Sequence, residues 1–203
     1  MKTKKGKFTT QTTVVLMVLI IVVVGYYCYL VNRSNRSADE NTPTTVENVL
    51  LRNLESNYPP TPKEVIRYYN DVIKCFYNED CSQEDLEALA LKARGLYDQE
   101  LLDHNEWDTY IFNLEAEIQD FRSNNRKISN ISLASSVDVD EFTKDGYKFA
   151  KIRCGYNILQ GRESSSSVQV YLLRKDGDGH WKIYGWDLEE NLRDNSQEDD
   201  YTD

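Results

Sequence analysis

The chain has 203 residues, a formal charge of −10, two histidines and four cysteines. An exterior this acidic repels nucleic acid and anionic headgroups, which excludes a polyanion-binding surface as the first reading. With no C-x-x-C spacing a thiolate zinc framework is disfavoured, and neither a metal nor an organic cofactor is expected.

Lys2, Lys4, Lys5 and Lys7 open the chain with no acid among them. Residues 14–31 follow as VVLMVLIIVVVGYYCYLV, without a charge. A spanning helix needs about 20 apolar residues and at least roughly 17. The run therefore predicts a transmembrane helix preceded by a basic cytoplasmic segment, residues 1–13. Four lysines before it outweigh Arg33 and Arg36 after it, which places the N-terminus inside and the remainder outside the cell membrane. Tyr26, Tyr27 and Tyr29 suit the headgroup layer at the distal end. A cleaved signal peptide would have a core of ~7–15 residues before a small-x-small site. This core is longer and ends in bulky residues, so it reads as an uncleaved single-pass signal anchor. Cys28 follows Tyr26 and Tyr27, which are too large for lipoprotein-type processing. The four lysines leave −14 on residues 32–203.

Residues 32–45, NRSNRSADENTPTT, lack apolar periodicity and read as a flexible stalk of roughly 20 Å mean reach, at ~5–6 Å × √n. The N-x-S triplets in it, and the one at Asn130, matter only on a eukaryotic secretory route. Residues 46–190 are long enough for one domain with a real core. Residues 191–203 form an acidic tail expected to be disordered.

Within the domain, Val46, Val49, Leu50 and Leu54 predict a first helix, ended by Tyr58–Pro59–Pro60. Thr61, Pro62 and Glu64 form a capping box that starts a second, with Val65, Tyr68, Tyr69, Val72, Ile73 and Phe76 on its buried face. Ser82 and Asp85 start a third, running through Leu86, Leu89, Ala90 and Ala93 to Leu96 and Tyr97, with a bend or pause at Gly95. Asn105 caps a fourth, whose stripe is Trp107, Tyr110, Ile111, Leu114, Ile118 and Phe121.

The period then changes to two. Ile131, Leu133, Val137 and Val139 share a parity. Ala150, Ile152, Cys154, Tyr156 and Ile158 make a half-buried strand. Val168, Val170 and Leu172 repeat that pattern, with Tyr171 and Leu173 on the opposite face. In the last strand, WKIYGWDL, Trp181 and Ile183 share a face that Trp186 joins only through a bulge at Tyr184–Gly185. Lys144–Asp145–Gly146 and Lys175–Asp176–Gly177–Asp178–Gly179 supply hairpin turns. Residues 161–167 read as a longer serine-rich loop. Helices followed by strands predict an α+β domain with helices on one face of an antiparallel sheet.

The segment PPTPKEVIRYYN and the terminal DGHWKIYGWDL, set behind an anchor and stalk, resemble a nuclear transport factor 2-like domain in an uncharacterised group of bacterial single-pass membrane proteins. That resemblance implies a cone, a bent antiparallel sheet wrapped around helices with a pocket at its open end. Such domains include isomerases, transport and assembly factors and binding modules, so the fold leaves function open. Some serve as bitopic scaffolds of secretion machines, but the N-P-x-G loop associated with those is missing.

No catalytic constellation stands out. His104 and His180 lie at a helix junction and a hairpin edge. Asp176, Asp178 and His180 lack the EF-hand spacing and read as a turn. An isomerase would need a carboxylate base and a tyrosine beside it, for which Asp71, Tyr68, Tyr69 and Tyr156 offer the residue types. Cys75 and Cys81 bracket a helix junction, where a disulfide is chemically allowed outside the cell. Cys154 reads as buried and inert. The leading expectation is a non-catalytic, membrane-tethered extracytoplasmic module that binds an unknown protein or small molecule, as monomer or homo-oligomer. Tyr68, Tyr69, Tyr156 and Trp186 are its candidate ligand or partner contacts. A bitopic scaffold subunit of a secretion or envelope assembly is the alternative, and an isomerase-like enzyme the third reading.

Overall fold

A computed structural model describes residues 45–192. The anchor, the stalk up to residue 44 and the tail from residue 193 lie outside the described residues. Among the described residues no helix is long and apolar enough to cross a membrane.

The described part is α+β, with helices packed against a curved antiparallel sheet. Five helices come first: α1 (Thr45–Leu50), α2 (Pro62–Asn78), α3 (Gln83–Arg94), α4 (Gln99–Asp103) and α5 (Trp107–Ser123). Strands β1 (Arg126–Leu133), β2 (Asp140–Lys144), β3 (Tyr147–Gln160), β4 (Glu163–Lys175) and β5 (Trp181–Leu188) follow. The sheet runs β1-β3-β4-β5, with every pair antiparallel. β2 pairs with residues 147–151 of β3, and β1 with residues 154–160, so the two share one flank of that long strand.

α2 is central. Thr61 accepts from the Glu64 amide at 3.2 Å, and Pro62 occupies the first turn, where its missing N–H costs nothing. The expected capping box is half made, because the Glu64 carboxylate pairs with Arg67 instead. Val65, Ile66, Val72, Cys75 and Phe76 are fully buried in the core. At its end, the Asn78 side-chain amide pairs with both the N–H and the C=O of Ile128, at 2.9 and 2.8 Å. That junction holds the helix to β1 next to a bulge between Ile128 and Asn130.

Ser82 caps α3 by accepting from the Asp85 amide at 3.1 Å. The helix stops at Arg94, one residue before Gly95. A Cβ at Gly95 would sit 2.9 Å from Leu54 Cδ1, so glycine permits this close approach. Leu96–Asp98 then run along β5: Ile183 N–H donates to Leu96 O, and Asp98 N–H to Ile183 O, both at 2.8 Å. A short helix, α4, occupies residues that the sequence left between helices. Asn105 does not cap α5; its amide donates to Leu101 O at 2.8 Å, and Glu106 precedes the first turn without a side-chain cap bond. α1 ends at Leu50, well before the prolines expected to stop it.

In β3 the predicted alternation holds, with Ala150, Ile152, Cys154 and Tyr156 buried. β4 differs: Tyr171 and Leu173 enter the core, while Val168 is exposed. The serine run is strand rather than loop, since Gln160 pairs directly with Glu163 across a two-residue turn at Gly161 (φ 62°). Val137 lies in a 3-10 turn (Ser136–Asp138) and is 88% exposed, so it does not continue the β1 parity. Asp145 (φ 53°) and Gly146 (φ 84°) make the left-handed turn that the β2–β3 hairpin needs. Leu172 pairs with Gly185 and Leu173 with Ile183, so Tyr184 is the extra residue of a bulge. The conditional reading of Trp186 is thereby met, and a bulge of this kind also bends the strand.

Candidate functional site

α5 packs on α2 and β1, and a cavity of about 310 Å³ is lined by α2, α5 and strands β1, β3, β4 and β5. α2 contributes Tyr69, Ile73, Phe76 and Tyr77. From α5 come Tyr110, Asn113, Leu114, Glu117 and Phe121, the i, i+3, i+4, i+7, i+11 face of that helix. Tyr156 and Ile158 of β3, Ser167, Gln169 and Tyr171 of β4, and Trp186 of β5 line the sheet side. Tyr97 reaches in from the segment stapled to β5. Such a volume stands at the lower end of small-molecule pockets, roughly 300–1,000 Å³.

Four rings form a mutual cluster on this wall. Tyr69 lies 6.0, 5.9 and 6.1 Å from Tyr97, Tyr171 and Trp186, and Trp186 is 5.9 and 6.0 Å from Tyr97 and Tyr171. These separations fall within the range of favourable tilted aromatic contacts. Trp186 remains 41% exposed, so the cluster is open at that ring.

Two hydroxyl chains run through the wall. Tyr69 and Tyr97 oxygens are 3.1 Å apart, and the Tyr110 ring meets that of Tyr97 edge-on at 6.3 Å. In the second, Asn70 Nδ2 donates to Cys154 Sγ (3.2 Å), Tyr156 O–H donates to Asn70 Oδ1 (2.6 Å), Tyr156 and Tyr171 oxygens lie 2.6 Å apart, and Tyr171 meets the Gln169 amide at 2.7 Å. Two hydroxyl protons cannot serve three donor roles. Tyr156 O–H donates to Asn70 Oδ1 and Tyr171 O–H to Gln169 Oε1, and the third contact is met when either amide turns to offer an N–H. The chain links the cavity surface at Gln169 to buried Cys154.

Burial pushes Tyr69, Tyr97, Tyr110, Tyr156 and Tyr171 above the ordinary phenol range, and Tyr77 likewise, helped by the nearby Glu117 carboxylate. All six stay neutral at physiological pH. Among the described residues Glu117, which is exposed, is the one charged side chain of the lining, and that lining contains no lysine, arginine or histidine. Arg94 stands over the Tyr110 ring at 5.4 Å and donates to Asn105 O, but is not part of the lining.

Three of the candidate contacts, Tyr69, Tyr156 and Trp186, meet at this cavity. Tyr68 does not. One residue along a helix turns the side chain by about 100°, which points Tyr68 at α1, where it donates to Val49 O at 2.9 Å beneath Arg52. Burial raises its phenol to about 12. Asp71 also lies outside the lining; it is half-buried, and burial raises its carboxyl despite Lys74, Arg67 and Arg52. Tyr77, Tyr97, Tyr110, Tyr171, Gln169 and Glu117 were not read as site residues from the sequence.

Cys75, Cys81 and Cys154 are free thiols, and the Cys75–Cys81 bond that the sequence allows is not formed in this structure. Cys81 Sγ instead rests 3.5 Å from Cys75 O. Burial pushes the Cys75 thiol up to about 12. Asp176 behaves as a turn residue: its Oδ1 accepts from the amides of Asp178 and His180 at 3.0 and 2.8 Å. Among the described residues no group of histidine, cysteine or acidic side chains is arranged to hold a metal.

A family profile matches residues 1–186, and its description is a domain of unknown function, DUF6715. The chain belongs to the DUF6715 family. The match takes in the basic head, the apolar run and the stalk as well as the α+β domain, so these segments are part of the family pattern. No curated protein matches the DUF6715 chain.

Proposed function

We propose that this DUF6715 protein is a membrane-tethered extracytoplasmic receptor whose tyrosine-lined cavity binds a small organic ligand without transforming it. The cavity carries this reading: a concave, mainly aromatic wall with a few convergent polar groups is what small-molecule recognition requires. The charge-free residues 14–31 and the lysines before them support the tether and its orientation. The helices-on-curved-sheet architecture, with its cavity between α5 and the strands, supports the nuclear transport factor 2-like cone. Isomerase chemistry would need a carboxylate withdrawn from water. Glu117 is exposed, which favours recognition over proton abstraction.

The test is calorimetric titration of the full-length chain in lipid nanodiscs with a panel of soluble single-ring aromatic compounds. Saturable binding is expected for some of the panel, and Ser167→Phe, which fills the cavity from β4, abolishes it. Binding that survives Ser167→Phe unchanged would overturn the reading.

A further inference from the structure

The cavity wall selects a charge. Its faces are supplied by Tyr69, Tyr97, Tyr110, Tyr156, Tyr171 and Trp186, whose π-systems are negative over the ring. Among the described residues its one acidic side chain is Glu117, on α5 near Tyr77. Among the described residues no cationic side chain lines it to receive a carboxylate or a phosphate. Asn105, Asn113, Ser167 and Gln169 can accept N–H donors from a guest through their oxygens. Arg94 is occupied by Tyr110, Trp107 and the Asn105 carbonyl.

Resting on the receptor reading, we propose that the ligand class is an organic ammonium: one aromatic or compact apolar body with a protonated amine that pairs with Glu117. A cation is attracted both by the carboxylate and by the surrounding rings, an effect that grows as water is excluded. A carboxylate guest meets repulsion from Glu117 and finds no counter-charge. Size agrees: a dry cavity of about 150 Å³ admits benzene, so about 310 Å³ takes one ring with a short amine arm.

Benzylamine, benzyl alcohol and benzoate share a shape and differ in charge at neutral pH. Each is titrated into the full-length chain in nanodiscs of zwitterionic lipid at physiological salt. Benzylamine is expected to bind at least tenfold more tightly than benzyl alcohol, and benzoate more weakly than either. Glu117→Gln removes most of the benzylamine advantage over benzyl alcohol. Glu115→Gln, two residues away and outside the lining, controls for the general attraction of an acidic protein and leaves the ranking intact. Equal affinity for the amine and the alcohol, or an undiminished benzylamine advantage in Glu117→Gln, overturns the ammonium assignment while the receptor reading stands. Failure of all three probes to bind overturns the assignment and counts against the receptor reading too.

Discussion

Tyr156→Phe probes the polar chain behind the cavity. The substitution keeps the ring and removes one oxygen that lies 2.6 Å from both Asn70 Oδ1 and the Tyr171 hydroxyl. Tyr171 still donates to Gln169, which is half-buried and reaches water. Asn70 cannot compensate: it is 5% exposed and loses the donor to its Oδ1. An orphaned buried acceptor costs about 1–3 kcal/mol, so about 2 kcal/mol is expected. For a domain of roughly 150 residues, each kcal/mol shifts Tm by ~2–4 °C, giving a fall of about 4–8 °C. Tyr171→Phe removes a hydroxyl whose loss leaves Asn70 satisfied, so about 1 kcal/mol is expected from one neutral hydrogen bond. Thermal and urea unfolding of the full-length variants, followed by circular dichroism, measures both. A larger loss for Tyr171→Phe than for Tyr156→Phe would refute Asn70 as the buried group that Tyr156 satisfies, and losses under about 0.5 kcal/mol for both would refute the chain as a stabilising unit.

Other features have separate tests. Arg174 donates twice to buried Asp98 and once to Glu100, with its guanidinium over the Tyr147 and Tyr184 rings; Arg174→Met strands the Asp98 charge and should cost about 3–5 kcal/mol by urea unfolding, with Arg174→Lys recovering only part. Burial raises the Asp71 carboxyl, so the folded state binds that proton more tightly than the unfolded chain; its contribution is fully present below the unfolded pKa and is lost as pH rises through the folded one. Asp71→Asn should therefore raise Tm relative to the parent more at pH 7 than at pH 3, and the reverse order would contradict the burial argument. Iodoacetamide with peptide mass spectrometry should label half-buried Cys81 in the folded chain well before Cys75 and Cys154, which need unfolding.

The α+β order was legible because apolar period switches cleanly after Phe121, and β3 declares its buried face by strict alternation. β4 does not. Val168, Val170 and Leu172 are as apolar as Tyr171 and Leu173, so pattern alone cannot say which parity meets the helices. The serine run carries little strand propensity, yet its pairing with the end of β3 makes it strand. Tyr68 and Tyr69 illustrate the limit for the site. Both belong to one apolar stripe, and only the placement of α1 and the sheet assigns one to each. Tyr97 joins the cavity through backbone bonds to Ile183, a tertiary device with no local signature. Glu117 looks like any solvated acid on a helix until α5 is set opposite Trp186. The bulge at Tyr184 is the instructive success, because a glycine inside an aromatic strand marked where the face would change.

The receptor account is tested most directly by fluorine NMR of the full-length chain carrying 5-fluorotryptophan at Trp107, Trp181 and Trp186, each resonance assigned by its own Trp→Phe variant. Trp186 lines the cavity, whereas Trp181 is buried under Lys175 away from it. On addition of millimolar benzylamine, the Trp186 resonance should move saturably while Trp181 stays still. A stationary Trp186 signal, or equal shifts at Trp181, would contradict a ligand seated among the tyrosines.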